Sequence, residues 1–410
     1  MAEIKAFQGF RPRAELAARV AALPYDVYNR SEAKAEVERE PLSFLRVDRA
    51  ETQFADTVDL YSPAVYAKAK ELLDTMIRDG IYIQEEKAVY YIYELTMEGR
   101  SQTGIVACAS IDDYQKNVIR KHENTREEKE LDRIRHVDAC NAQTGPIFLA
   151  YRAKKMIDDV VARVKLSSPV YQFNSEDGIG HAVWVIDTDF DIEQIREGFR
   201  QVERIYIADG HHRAASAVKV GLKRRAEHPD YDGTEEFNYF LSVLFPHDQL
   251  MIMPYNRVIR DLAGMTEEAF IERLRESFEI QEVDAPFSPA FKSEFGMYLN
   301  HRWYHLKAHP DICPDDPVEG LDVSILQHEI FEKLLHISDP RTDKRIDFVG
   351  GIRGLKELER RADEDMCLAF SMYPTSILEL FCVADAGQLM PPKSTWFEPK
   401  LRSGIFIHQL

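Results

Sequence analysis

Residues 204–217 constrain the fold of this chain more than any other part of its sequence. Residues 205–208 are apolar and predict a strand, Asp209-Gly210 predicts a turn, and the alanine-rich stretch after Arg213 predicts a helix. A helix N-terminus leaves backbone N–H groups unpaired and carries a partial positive charge, and glycine lets the backbone approach an anion closely. The segment therefore predicts a phosphate-binding strand, turn and helix within an α/β protein.

The side chains at this junction suit phosphate transfer. Arg213 offers a guanidinium for a bidentate contact, and Asp209 offers a carboxylate that holds Mg²⁺ or orients a hydroxyl. His211 or His212 offers a ring N–H to a phosphate oxygen. In the simpler alternative, Asp209 caps the helix and the histidines bond to nearby carbonyls. We favour the phosphate site because four polar groups around one glycine exceed what capping requires, and we expect Arg213 to lie in a surface cleft.

Length and composition predict several domains. With 410 residues, of which 45% are apolar, the chain is too long for one ordinary core but can bury two or three. We predict a mixed α+β protein in four consecutive parts, which are an N-terminal part of the core (residues 1–84), an inserted α/β region (85–200), the remainder of the core with the glycine turn (201–307) and a C-terminal α/β lobe (308–410).

Apolar periodicity and turn residues predict the principal elements. They indicate a helix at residues 66–79, a hairpin of residues 89–95 and 104–110, and a second hairpin of residues 237–245 and 250–253.

Charge and capping signals predict two further helices. Residues 121–140 alternate in charge, which favours a helix with a solvated face. Ser324 and Gln327 match a capping box and so predict the start of a long helix.

Charge and cysteine usage restrict the partners and the compartment. Lys plus Arg total 52 against 70 for Asp plus Glu, and the net charge of −18 disfavours nucleic acid and anionic membranes as partners. The five cysteines are widely spaced with mostly apolar neighbours, so we expect buried thiols in a reducing compartment. The first residues lack an apolar signal core and no run of about 18 apolar residues occurs, so we expect a cytoplasmic protein.

A polar cluster stands at residues 120–126. Arg126 occupies the place of the second histidine of a zincin motif, so a zinc protease is excluded. The polar side chains of His122, Glu123, Thr125 and Arg126 stand at a predicted helix start, where they could supply a carboxylate base or a second phosphate contact. A solvated helix start is the alternative interpretation.

Two other segments carry polar groups in proline-stiffened turns. In residues 390–400 the prolines surround Lys393, Ser394 and Thr395, which could aim an ammonium and hydroxyls at phosphate, although the glycines of a P-loop are absent. Taken alone, this segment is interpreted as a structural loop. Near the N-terminus Asp26 follows a proline and a tyrosine, and ordinary loop structure is again the alternative.

Four motifs together, in identity and order, resemble those of the SerK-like free serine kinase family. These motifs are Pro24-Tyr25-Asp26-Val27, His122-Glu123-Asn124-Thr125, Asp209-Gly210-His211-His212-Arg213 and Lys393-Ser394-Thr395. The resemblance spans nearly the whole chain and is to the long bacterial branch of the family. It implies a ParB/sulfiredoxin-like core with an inserted region and a C-terminal lobe, in which a Gly-x-x-Arg turn binds nucleotide phosphates.

The resemblance implies transfer of phosphate from ATP or ADP to the hydroxyl of free L-serine, giving O-phosphoserine with the help of Mg²⁺. It places residues 209–213 in the site, with Asp209 as the metal ligand and Lys393 as a further phosphate contact. Such kinases use an N-terminal glutamate as the base. Asp26, Glu32 and Glu123 compete for that role in this sequence.

Two other functions remain as alternatives. A nucleotide-binding regulatory protein of the ParB/sulfiredoxin-like class would use the same phosphate site with little catalysis. A metal-dependent phosphatase that uses His211 and His212 is less favoured, because a second His/Asp ligand group at recognisable spacing is missing. The expected partners are a nucleotide and a small hydroxy amino acid, and a homodimer is left open.

Overall fold

The computed structural model describes residues 1–410. Its strands are β1 (Ile4–Lys5), β2 (Phe10–Pro12), β3 (Tyr82–Gln84), β4 (Tyr90–Met97), β5 (Arg100–Ser110), β6 (Ile119–Arg120), β7 (Ala142–Gln143), β8 (Ile147–Tyr151), β9 (Tyr171–Asn174), β10 (Gly180–Ile186), β11 (Ile205–Asp209), β12 (Tyr239–Pro246), β13 (Met251–Met253), β14 (Tyr255–Ile259), β15 (Phe278–Val283), β16 (Glu294–Leu299), β17 (Arg302–Ala308), β18 (Ile346–Gly350), β19 (Leu368–Met372), β20 (Trp396–Glu398) and β21 (His408–Gln409).

The α-helices are α1 (Ala17–Val20), α2 (Arg30–Arg39), α3 (Leu45–Asp48), α4 (Pro63–Arg78), α5 (Ile111–Gln115), α6 (Glu127–Cys140), α7 (Lys155–Val164), α8 (Asp189–Arg200), α9 (His211–Glu227), α10 (Glu267–Leu274), α11 (Asp322–Leu326), α12 (Gly354–Glu364) and α13 (Ile377–Asp385). The predicted mixed α/β class is confirmed. None of the helices is both long and apolar enough to span a membrane.

The chain divides into two compact units. The first comprises Met1–Leu250 together with Pro399–Leu410, and the second comprises Met251–Glu398. The sequence-based division instead placed boundaries after residues 84, 200 and 307. The structure differs because strands from all three of the first predicted parts pair with one another in a single sheet.

A nine-stranded mixed sheet forms the centre of the first unit. Its strand order is β6-β11-β8-β12-β5-β4-β10-β9, and β1 pairs with β5. The strand β4 carries Tyr90, Tyr91, Ile92 and Tyr93 in succession, and all four are fully buried. Such a continuous apolar run is typical of a strand covered on both faces.

The glycine turn lies near one edge of this sheet. The strand β11 pairs in parallel with β6 on one side and antiparallel with β8 on the other. Its register against β8 shifts between Ile207 and Asp209, so the strand is irregular where the polar residues begin. A bulge of this kind redirects side chains at the end of a strand.

The second unit has its own sheet of six strands. The order is β15-β17-β16-β19-β14-β18, and every neighbouring pair is antiparallel. The helix α13 begins with a capping box in which Ser376 and Glu379 bond to each other's backbone.

Two of the predicted elements and one predicted burial were wrong. Residues 237–245 and 250–253 do not pair as a hairpin, because β12 lies between β5 and β8 while β13 pairs with β20. Ser324 does not cap a helix, since α11 begins at Asp322 and the Ser324 hydroxyl donates to the Val318 carbonyl. Cys382 is exposed rather than buried.

The helix predicted at residues 121–140 also differs from expectation. It begins only at Glu127, and its inner face buries Glu130, Arg133 and His136 against the neighbouring helices. Alternating charge suggested a solvated face, but here the charged groups have partners that allow burial. The carboxylate of Glu130 accepts from both Thr125 and Lys219.

The carboxyl group of Asp322 gives the second unit a pH-dependent stability. It is 8% exposed and accepts the Ser293 N–H at 3.0 Å. Burial raises its pKa to about 7, although Ser293 and Lys292 oppose this and Glu379 adds to it. Between about pH 4 and pH 7 the folded chain keeps a proton that an unfolded aspartate has released, so stability falls as pH rises through this window.

Replacing Asp322 by asparagine is expected to flatten that pH profile. The amide keeps an oxygen for the Ser293 N–H and carries no charge to desolvate, so at pH 8 the variant should be more stable by on the order of 2 kcal/mol. Denaturant midpoints of both proteins between pH 5 and pH 9 measure the effect. Parallel profiles would show that Asp322 does not carry a raised pKa.

Candidate functional site

The predicted strand, turn and helix at residues 204–217 are confirmed. The strand β11 ends at Asp209, Gly210 has φ +93° in the left-handed region, and the 17-residue helix α9 begins at His211. No side chain caps the N-terminus of α9. The N-cap position is occupied by Gly210, so the alternative in which Asp209 serves as the helix cap is wrong, and the N-cap residue offers no side-chain acceptor to the first backbone N–H groups of the helix.

Two cations flank the Asp209 carboxylate. The Lys400 Nζ lies 3.6 Å from Asp209 Oδ2, and the Arg213 Nη2 lies 3.7 Å from the same oxygen. Burial alone would raise the pKa of Asp209, but Lys400, Arg213 and His211 overcome it and lower the pKa to about 2. The carboxylate is thus charged at neutral pH and has two cations beside it.

Lys400 is a site residue that the sequence analysis missed. It stands at the end of the proline-rich segment from which Lys393 was selected, and it belongs to the first unit, where the residues after it pair with Phe10 and with β7. The sequence signal was a lysine next to a proline, which Lys400 shares with Lys393. Only the long-range strand pairing shows that Lys400, and not Lys393, belongs to the first unit with Asp209.

The guanidinium of Arg213 is largely enclosed, so the prediction that it lies in a surface cleft was wrong. Its side chain is 15% exposed, and its Nη1 donates to the Pro146 carbonyl at 2.7 Å. It also borders a cavity of about 40 Å³, whose other lining includes Tyr25 and Arg133. A volume of this size holds only a few water molecules.

His122 and His211 form a buried pair next to the turn. Their rings meet edge to face with centroids 4.5 Å apart, and the residues are 2% and 5% exposed. Burial lowers the pKa of His122 to about 4, against the opposing effects of Asp209 and Ile207, and burial with the neighbouring His122 lowers that of His211 well below its usual value. Both rings are therefore neutral at physiological pH.

His212 points to different partners. Its Nε2 accepts the backbone N–H of Arg126 at 3.0 Å, which fixes the neutral tautomer with the proton on Nδ1. Burial and Lys129 lower the pKa of His212, while Glu130 and Asp26 oppose that effect. His212 thus joins the loop at residues 121–126 to the first turn of α9.

Glu123 and Arg126 do not occupy the first turn of a helix as predicted. They belong to the loop between β6 and α6, with Arg126 as the residue that precedes the helix. The Glu123 carboxylate is half exposed, and its Oε2 lies 3.9 Å from His211 Nδ1. The loop nevertheless brings His122, Glu123 and Arg126 to the glycine turn, as the phosphate-site interpretation required.

Asp26 lies beside a larger pocket of about 250 Å³. This pocket and the small cavity at Arg213 share four lining residues, Tyr25, Asp48, Arg133 and His136. The guanidinium of Arg133 stacks 4.0 Å from the centre of the Tyr25 ring and bonds to Asp132. The pocket therefore presents groups of both charges, and it adjoins the Arg213 side of the turn.

The structure separates the three carboxylates considered as the base. Glu32 completes the capping box of α2, because its Oε2 accepts the backbone N–H of Asn29 and the Asn29 side chain accepts the Glu32 N–H. Asp26 borders the pocket, and Glu123 lies beside His211.

Lys393, Ser394 and Thr395 belong to the second unit. The Lys393 Nζ lies 5.5 Å from the centre of the Tyr255 ring. The backbone carbonyl of Lys393 accepts a hydrogen bond from the Arg257 guanidinium at 3.0 Å. The Ser394 hydroxyl donates to the Pro391 carbonyl at 2.6 Å. These contacts are those of a well-packed loop.

Comparison with known proteins places the chain in a family. A family model described as a protein of unknown function, DUF1015, matches residues 4–324. The chain belongs to the DUF1015 family. The match covers three of the four motifs on which the resemblance was based, and no curated protein matches this chain.

Several solved structures resemble this member of the DUF1015 family. A free serine kinase in complex with AMP is 13% identical, with 73% of this chain and 91% of that chain covered and a TM-score of 0.35. A conserved hypothetical protein from Pyrococcus furiosus is 16% identical, with 73% and 93% covered and a TM-score of 0.34. SbnI with a C-terminal truncation from Staphylococcus aureus is 12% identical, with 72% and 85% covered and a TM-score of 0.37.

Proposed function

We propose that this protein is a phosphotransferase that binds ATP or ADP at the turn around Gly210 and phosphorylates the hydroxyl of free L-serine or a related hydroxy amino acid. The product would be O-phosphoserine. The observation that carries the proposal is the uncapped N-terminus of α9, which follows a left-handed glycine and has Arg213 and Lys400 beside it.

The donor groups at the turn suit a phosphate. A helix N-terminus of this length supplies unpaired N–H groups and a partial positive charge, and the two cations neutralise more than the single charge of Asp209. Phosphoryl transfer depends mainly on positioning and on neutralising charge at the phosphate oxygens. Arg213 would turn part of its guanidinium from Asp209 to the nucleotide.

The residues also suit the Mg²⁺ that accompanies a nucleotide. Mg²⁺ prefers oxygen ligands and is commonly held by one or two carboxylates, with phosphate oxygens and water completing its shell. Asp209 is charged, partly exposed and next to the proposed phosphate site. The metal would supply further charge neutralisation there.

The pocket beside Asp26 suits a small acceptor. Its volume of about 250 Å³ is below the range of about 300–1,000 Å³ common for drug-sized ligands. A free amino acid carries a carboxylate and an ammonium group. The pocket offers Arg49 and Lys129 to bind the carboxylate. Asp26 and Asp132 can bind the ammonium group or accept the proton of the hydroxyl.

The proposal predicts formation of a phosphorylated amino acid. Purified protein is incubated with ATP or ADP, Mg²⁺ and a panel of L-serine, L-threonine and L-homoserine, and products are identified by mass spectrometry. Phosphorylation of at least one acceptor is expected. Nucleotide binding with no phosphorylated product, and a thermal shift unaffected by any acceptor, would favour the nucleotide-binding regulator instead.

Replacing Asp26 by asparagine is expected to lower kcat by about 10²- to 10⁴-fold, because a general base of this kind contributes that much. The Kd for ADP should stay within about threefold, since Asp26 borders the acceptor pocket. Glu32→Gln is the matched control, because Glu32 stands on the same segment and serves the capping box. An unchanged kcat in Asp26→Asn with a low kcat in Glu123→Gln would transfer the base role to Glu123.

A further inference from the structure

Three side chains near the glycine turn converge on one point. His122, Glu123 and His211 each offer a ligand atom, and these atoms lie within 4.8 Å of one another. We propose that these three residues bind a divalent transition-metal ion such as Zn²⁺. This site is separate from the nucleotide's Mg²⁺, which the proposed function assigns to Asp209.

The histidine nitrogens give independent support for a ligand at this point. The Nδ1 of His122 and the Nε2 of His211 are buried and have no hydrogen-bond partner. A buried polar atom left without a partner costs about 1–3 kcal/mol. Two such atoms on rings that touch each other are explained together if both donate their lone pairs to a cation.

The ring of His122 is already oriented as a metal ligand. The backbone of Ile207 raises the pKa of His122, as an acceptor for a ring N–H does, and since Nδ1 has no partner, this interaction uses the Nε2 side of the ring. Metal-binding histidines commonly donate their second ring N–H to a carbonyl or carboxylate, which fixes the tautomer and leaves the other nitrogen as a lone pair.

The donor set selects the class of metal. Two imidazoles and one carboxylate suit Zn²⁺ and its transition-metal neighbours, whereas Mg²⁺ and Ca²⁺ prefer oxygen ligands alone. Three protein ligands leave at least one position for water or for an oxygen of a bound anion. The group lies beside the N-terminus of α9, where such an anion is proposed to bind.

Binding requires a small closure of the loop. Ligand atoms about 2.0–2.2 Å from a metal can be no more than about 4.4 Å apart, so a separation of 4.8 Å must shorten. Glu123 is half exposed on a loop, so its side chain can make the movement.

The test measures binding of the metal alone. Protein freed of metal with a chelator is titrated with ZnCl₂ by calorimetry in the absence of nucleotide and acceptor, and metal content is determined after dialysis. One equivalent of Zn²⁺ is expected to bind, and millimolar Mg²⁺ should not displace it. Because neither nucleotide nor acceptor is present, the result is independent of the kinase assay.

Variants distinguish this site from binding elsewhere on an acidic surface. Glu123→Gln and His211→Asn are each expected to raise the Kd for Zn²⁺ by at least about tenfold. His212→Asn is the matched control, because the adjacent histidine uses its Nε2 to accept from Arg126 and should leave the Kd within about threefold. Far-UV circular dichroism verifies that the variants are folded.

Co²⁺ gives a second readout that does not depend on the histidine variants. Co²⁺ bound by imidazole and carboxylate shows visible d–d absorption, which should appear in the wild-type protein and weaken in Glu123→Gln, a change on an exposed loop. The proposal is overturned if wild-type protein binds no stoichiometric Zn²⁺. It is equally overturned if Glu123→Gln binds Zn²⁺ and Co²⁺ as the wild type does.

Discussion

Replacing Arg213 by alanine is expected to weaken ADP binding about 100-fold and to lower the free energy of unfolding of the first unit by about 2 kcal/mol. The loss of affinity follows from removing a charge-assisted, bidentate phosphate contact. The loss of stability follows because the guanidinium donates to the enclosed Pro146 carbonyl, which would lose its partner. Calorimetric titration with ADP and denaturant unfolding measure the two effects.

Two variants control for the general effects of removing an arginine. Arg213→Lys keeps the charge but not the planar pair of donors, so its ADP affinity should lie between those of wild type and alanine. Arg360→Ala removes an exposed arginine paired with Glu357 and Glu364, and should change stability by less than about 1 kcal/mol and affinity not at all. Unchanged ADP affinity in a folded Arg213→Ala protein would remove Arg213 from the phosphate site.

Replacing Gly210 by alanine is expected to abolish measurable nucleotide binding while the chain still folds. At φ +93° a Cβ costs about 1–2 kcal/mol, and it would lie 3.1 Å from the Nε and Nη2 atoms of Arg213. The guanidinium must therefore move and the turn must relax, and the approach of a phosphate to the first N–H groups of α9 is blocked.

Gly178 provides the matched control for that substitution. It has φ +80° in the turn between β9 and β10, and a Cβ there meets nothing within 4 Å. Gly178→Ala should therefore lose a similar amount of stability, about 1 kcal/mol, with full nucleotide affinity. Equal affinities of the two alanine variants would mean that the Gly210 turn does not approach the ligand.

Local sequence was enough to predict the elements that carry the site. The strand, turn and helix around Gly210 follow from neighbouring residues, as do the helix α4 and the hairpin of β4 and β5. Each depends on periodicity and turn residues within about 20 positions, where local rules are strong.

Features that depend on distant pairing could not be predicted in this way. The apolar runs that form β12 and β13 stand next to each other in sequence, yet β12 pairs with β5, more than 100 residues earlier. The charges of α6 suggested solvent, and only the position of Lys219 on α9 explains how Glu130 is buried. Lys400 reaches Asp209 because the last strand returns to the first unit.

The sequence indicated which residues lie near the candidate site, but it did not indicate how their side chains are arranged. The motifs around Asp26, His122 and Gly210 come together in the first unit, as their shared polar character indicated. The sequence did not indicate that two of the histidines would be buried against each other, nor that Arg213 would bond to a backbone carbonyl. Such details depend on tertiary packing rather than on residue type.

A crystal structure of the full chain with ADP and Mg²⁺ tests the central claim most directly. The account predicts phosphate oxygens about 3 Å from the backbone nitrogens that open α9 and from the Arg213 guanidinium. ADP bound elsewhere, with Arg213 still held between Asp209 and the Pro146 carbonyl, would contradict it.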